Sequence, residues 1–160
     1  MLRDRVLRGV WIGLVAAAAT AGALVGFGWV RGFPLQPLNT IAHILVGSRA
    51  FYVREAHPLI TPLGLLVHAL SLVVWGALFS LGMGYRRSSW LWVGAVVFAV
   101  AVAAIDFLVL PARLSPGFET VLTRGEIIVI YAVMAAAMGM VAGSLGAPPA
   151  ERGTRYEEAP

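Results

Sequence analysis

The chain has 160 residues, 59% hydrophobic and 12% charged, with a mean hydropathy of +0.84 and a formal net charge of +4. That balance leaves too little polar surface for a soluble domain of this size and reads as a membrane protein. With no cysteine, the sequence excludes disulfides, thiolate metal sites, iron–sulfur clusters and covalently attached c-type haem.

All twelve basic residues are Arg, and Ala, Gly, Val and Pro are abundant, a usage that reads as a GC-rich bacterial genome. The positive charge sits at the ends and turns of apolar segments. It is therefore a topology signal and not a nucleic-acid surface.

The first apolar segment, residues 9–30, follows "MLRDRVLR". Its 22 uncharged residues exceed the apolar part of a signal peptide, and "GFGWVRGFP" offers no small-residue cleavage site. It reads as a retained helix long enough to cross a bilayer, which takes about 20 residues. Ala18, Gly22 and Gly26 recur every four positions along it, a spacing that lets helix backbones approach closely in lipid.

Residues 31–60 are not an ordinary loop. Pro37 and Asn39 make a plausible helix start and Gly47 a stop, with Leu38, Ile41, Ile44, Leu45 and Phe51 apolar between and beyond them. The segment is too short and broken to span. Residues 37–52 are expected to form a short amphipathic helix at the membrane surface, with a plain connector as the alternative. Asn39, His43, Arg49, Arg54 and His57 are its polar side chains.

A second span runs over about residues 61–83. It carries His68 about 10 Å from its start. Thr61, Gly64, Ser71 and Trp75 share the histidine's face, a polar and small stripe in an aliphatic helix. The third span, about residues 89–110, follows Arg86 and Arg87 and carries an alanine ladder, Ala95, Ala99 and Ala103. Asp106 continues that ladder's face, so its carboxylate is expected to point inward, about 7 Å from Pro111. The fourth span, about residues 127–145, opens at Glu126 and carries Ala135, Gly139 and Gly143 at the same spacing.

These elements predict an all-α polytopic membrane protein: a four-helix transmembrane domain over residues 1–146 and a polar tail over 147–160. Seven arginines (Arg3, Arg5, Arg8, Arg86, Arg87, Arg152, Arg155) fall on one side of the spans and five on the other. The excess places both termini in the cytoplasm, in a bacterial inner membrane. Trp11, Tyr85, Trp90 and Trp92 then anchor the inner interface and Trp29 the outer one.

His68, Asp106 and Glu126 are expected to approach one outer vestibule, with Arg113 and Arg124 in reach, and His68–Asp106 as the leading contact. An acid inside a span is a functional candidate, but near the interface it is more often an ion-pair or packing residue. Glu126 at a helix start is favoured by the macrodipole alone. As metal ligands the three would form an imidazole–carboxylate set, though no histidine box supports it and the identity of any metal stays open. No nucleophile–base pair, Walker loop or dinucleotide fingerprint is present, and no cofactor is expected.

"PLNTIAHILVGSRAF", "LGLLVHALSLVVWGALF" and "DFLVLP" resemble segments of the small four-helix bacterial inner-membrane proteins of unknown function, some of them labelled putative sodium:proline symporters. The resemblance covers about residues 10–140 and implies a four-helix fold without an assigned chemistry. Four helices are too few for the usual inverted-repeat symporter. The expected role is a non-catalytic accessory or structural subunit of a larger membrane complex. Its partners would be the lipid bilayer and another membrane protein or further copies of itself, and not nucleic acid. The alternatives are a small transporter or ion-conducting oligomer, and a membrane-embedded metalloenzyme, both using His68, Asp106 and Glu126.

Overall fold

The computed structural model describes residues 2–84 and 89–145. The Arg86–Arg87 turn, Tyr85 and the tail of residues 147–160 lie outside the described residues. Four long helices make up most of the fold: α1 (Leu2–Val30), α4 (Ile60–Met83), α5 (Ser89–Ala104) and α6 (Arg124–Ser144). Two short ones, α2 (Gln36–Ile41) and α3 (His43–Val46), lie between α1 and α4. No strand occurs among the described residues.

Four helical segments, counting α5 with its continuation to Val109, are long and apolar enough to cross a membrane. α1 is the longest, 29 residues or roughly 43 Å at the helical rise, against a hydrocarbon core of about 30 Å.

α1 is the centre of the molecule. It packs along α4 on one side and α6 on the other, and α5 is seated against α6. The α1–α4 contact is a glycine contact. A methyl group built on Gly13 would overlap the Leu72 carbonyl and the Val73 backbone, and one on Gly76 would overlap Gly9 and Gly13. Absent side chains therefore let the two backbones touch.

The ladder read on the first span is not this one. Gly22 and Gly26 are exposed, with nothing within 4 Å of where a Cβ would stand, and Ala18 is exposed beside them. Two stripes of small residues run along α1, and among the described residues only the Gly9–Gly13 stripe faces a helix. The other two ladders do face one another: Ala95, Ala99 and Ala135 are buried, the Trp92 ring lies over Gly139, and Leu91 reaches Gly143.

α4 and α5 are consecutive, yet they meet only sparsely. Trp75 and Phe79 of α4 hold edge-to-face contacts with Phe98 of α5, at centroid distances of 6.1 and 5.3 Å. Beyond Phe98, toward the end that carries residues 31–59, the two helices leave a crevice. α5 is the edge helix: in the most apolar window of residues 89–109, 17% is buried, against 39% for α1.

α5 does not end as a plain helix. Residues 105–109 form a π-turn, with the Leu110 N–H donating to Ile105 O at 2.9 Å. Pro111 then forces Leu110 into extended backbone, ψ 139°, and ends the element.

The segment between α1 and α4 is more compact than a single surface helix. α2, α3 and a 3-10 turn (Ser48–Tyr52) follow one another, and Pro37 through His43 are all buried. Gly64 of α4 admits the Leu38 carbonyl where any Cβ would overlap it. Gly47, at φ +75°, ends α3 in a conformation that favours glycine. This segment and residues 110–123 close the same end of the molecule, where His43 Nδ1 donates to Thr40 O at 2.8 Å and Nε2 lies 3.3 Å from Ala112 O.

Candidate functional site

The crevice between α4 and α5 encloses about 290 Å³. α4 supplies His68, Ser71 and Trp75 to it, and α5 with its π-turn supplies Val102 and Asp106. Tyr131 and Met134 of α6 and Thr20 of α1 close the back, while Ile41, Ile44, Leu114 and Phe118 cover the end. Its side is open, because Ser71 and Val74 on its α4 wall are exposed.

His68 is buried, and Nε2 stands 2.9 Å from Thr20 Oγ1. The Thr20 hydroxyl gives its one hydrogen to Ala16 O at 2.8 Å, so its oxygen accepts from His68. With that hydrogen placed on Ala16 O, Nε2 is assigned the proton in this pair. Thr20 is the one hydroxyl-bearing residue in residues 9–30, a signal the sequence carried and the reading passed over.

Asp106 takes its hydrogen bond from Tyr131, whose hydroxyl donates to Oδ2 at 2.6 Å. The arginines and the histidine expected as partners do not fill that role: neither Arg113 nor Arg124 forms an ion pair among the described residues, and His68 is bonded to Thr20. His68 and Asp106 therefore line one crevice without bonding each other. The expected contact presumed that α4 and α5 pack as close neighbours, whereas the crevice holds them apart.

Glu126 stands outside this site. Its carboxylate accepts from the Thr123 N–H and hydroxyl, both at 2.8 Å, completing a capping box at the start of α6. It also pairs with Arg31, just beyond α1. The bond to Glu126 holds the Arg31 guanidinium above its ordinary pKa. The pair ties α1 to α6 at the capped end, a structural role.

The remaining polar side chains expected at the surface segment also have local duties. Asn39 is fully buried; its amide donates to Val53 O at 3.0 Å and Glu55 O at 2.9 Å, and its oxygen accepts from Thr61 at 2.7 Å. His57 Nδ1 accepts from the Leu59 and Ile60 N–H groups, both at 3.2 Å, at the start of α4. The Arg54 guanidinium lies 5.0 Å from the Phe33 ring centroid, a cation–π contact, and Arg49 is exposed.

Two further residues matter here. Arg8, read as a topology charge, is buried and donates to Gly84 O and Ala142 O, tying together α1, α4 and α6 at the end opposite the crevice. Glu119 accepts from Ser115 at 2.7 Å through Oε1, and its Oε2 is buried without a hydrogen-bond partner among the described residues. It lines a second groove, about 800 Å³, between α5 and α6, walled by Ala99, Ala103, Ala132 and Ala135.

The geometry does not assemble a metal centre from His68, Asp106 and Glu126. Among the described residues no three His, Cys, Asp or Glu side chains stand together as ligands. Between the crevice and the opposite end the core is apolar, built on Ile12, Ala16, Phe79, Leu91 and Met138. Compared with family models, curated proteins and solved structures, the chain gives no match.

Proposed function

We propose that this protein is a multi-pass protein of a bacterial inner membrane, with both termini in the cytoplasm, and that it serves as a non-catalytic subunit of a larger membrane assembly. The observation that carries this reading is the exposed Ala18–Gly22–Gly26 stripe on α1. Small residues every four positions are what a membrane helix uses to admit another backbone. Among the described residues no helix lies upon this stripe, although one lies upon the parallel Gly9–Gly13 stripe. On this reading residues 31–59 and 110–123 lie at the outer face, and the arginine excess at the inner one holds the orientation.

The test is the mass of the protein extracted from native membranes in mild detergent and resolved on a native gel. Wild type is expected in a complex larger than one copy. Gly22→Leu is expected to release the monomer without lowering its unfolding temperature, because a Cβ at Gly22 meets nothing within 4 Å among the described residues. Mass spectrometry of the complex then separates another membrane protein from further copies of this chain. A monomeric wild type, or a Gly22→Leu variant that keeps the complex, would defeat the proposal.

A further inference from the structure

We infer that the crevice between α4 and α5 is a binding site for a lipophilic organic amine, its ammonium group on Asp106 and its apolar body against Trp75 and Phe118. This goes beyond the subunit reading and does not depend on it.

The first ground is charge. Asp106 presents a carboxylate to the crevice, and no Arg or Lys is among the residues that line it. Tyr131 satisfies Oδ2 as a neutral donor, which leaves Oδ1 as an acceptor without a hydrogen-bond partner among the described residues. A carboxylate within a span calls for a counter-charge. Among the described residues no ion pair to Asp106 is present, so the complementary ligand is a cation.

The second ground is donor and acceptor count. His68 lines the same crevice, and its Nε2 is already engaged with Thr20. A protonated amine has N–H donors for Asp106 Oδ1, whereas an anion or an acceptor-only head group would set lone pairs against the carboxylate.

The third ground is the remainder of the wall. Trp75, Phe118 and Tyr131 bring aromatic rings to the wall, and such rings attract cations. Val102, Leu110 and Ile130 give apolar ones. A bare metal ion would need several oxygen ligands at short range, and this wall is mostly hydrocarbon. The volume, about 290 Å³, is close to the lower bound of about 300 Å³ for small-molecule sites. It suits a compact head group whose chain leaves by the open side.

The test uses the purified full-length protein in a nonionic detergent and radiolabelled octylamine, counted by scintillation proximity. Wild type is expected to bind octylamine saturably. Octanol, octanoate and sodium ions should fail to displace it at about ten times its concentration, since each lacks the charge, its sign or the apolar body. Asp106→Asn is expected to weaken binding about tenfold or more, and Val97→Leu, on the exposed face of α5, to leave it unchanged. Should Asp106→Asn fail to elute as a monodisperse protein, Ser71→Leu decides: it places a bulky apolar side chain at the open side of the crevice and is expected to abolish binding. The inference is overturned by a monodisperse wild type that binds no octylamine, by octanol or sodium competing as well as octylamine, or by unchanged affinity in folded Asp106→Asn or in Ser71→Leu.

Discussion

Tyr131 and Thr20 anchor the two ionisable side chains of the crevice, Tyr131 by donating to Asp106 and Thr20 by accepting from His68. Each is a neutral partner reached across a helix–helix boundary, which keeps the acid and the imidazole oriented without an ion pair. Tyr131→Phe removes one donor and keeps the ring. Asp106 Oδ2 then loses its hydrogen bond in a partly buried place, and we expect a loss of about 1–3 kcal/mol in detergent unfolding. An unchanged midpoint would mean that the carboxylate is satisfied by water. The sequence made the inward direction of Asp106 legible, because the residue shares a face with Ala95, Ala99 and Ala103. It did not make Tyr131 legible, since the bond joins residues 25 positions apart and depends on how α5 and α6 are placed. Glu126 shows the opposite case: the Thr123-x-x-Glu126 spacing is a local capping signal, readable without any tertiary structure.

At the scale of helices, α1 carries two stripes of small residues with the same four-residue spacing, and spacing alone cannot rank them. What separates them is the partner: α4 brings its own Gly76 to the Gly9–Gly13 stripe, so two backbones meet where side chains are absent from both. Gly13→Ala should therefore force α1 and α4 apart and cost about 1–3 kcal/mol through overpacking against backbone. Gly22→Ala should be neutral or stabilising by up to about 1 kcal/mol, because alanine favours the helix and meets nothing. Thermal unfolding of the two variants side by side checks this, and the reverse order would reassign the interface. The spans themselves were legible from their unbroken apolar runs. The π-turn of residues 105–109 was not, because its hydrogen-bond register leaves no periodic mark in so few residues. Residues 37–52 are expected as one helix at the membrane surface; burial of Asn39 and its bonds to residues 53, 55 and 61 instead tie the segment to the end of the bundle.

In the whole molecule, the position of α1 between α4 and α6 explains why consecutive α4 and α5 stand apart above Phe98. A short connection suggested close neighbours, and the aromatic contacts satisfy that expectation only toward one end. The crevice, the capping segment and the Arg31–Glu126 pair all belong to the other end, so the orientation of the protein decides what can reach the crevice. The central claim is that α1 crosses the bilayer and carries the chain from a cytoplasmic start to an outer cap. The absence of cysteine makes a direct measurement clean. Leu2→Cys and Tyr52→Cys, at positions 69% and 83% exposed and on either side of α1, are treated separately in intact spheroplasts with a membrane-impermeant maleimide. The account predicts that Tyr52→Cys is labelled from outside and Leu2→Cys only after permeabilisation. Labelling of both from one side, or of Leu2→Cys alone from outside, would contradict it.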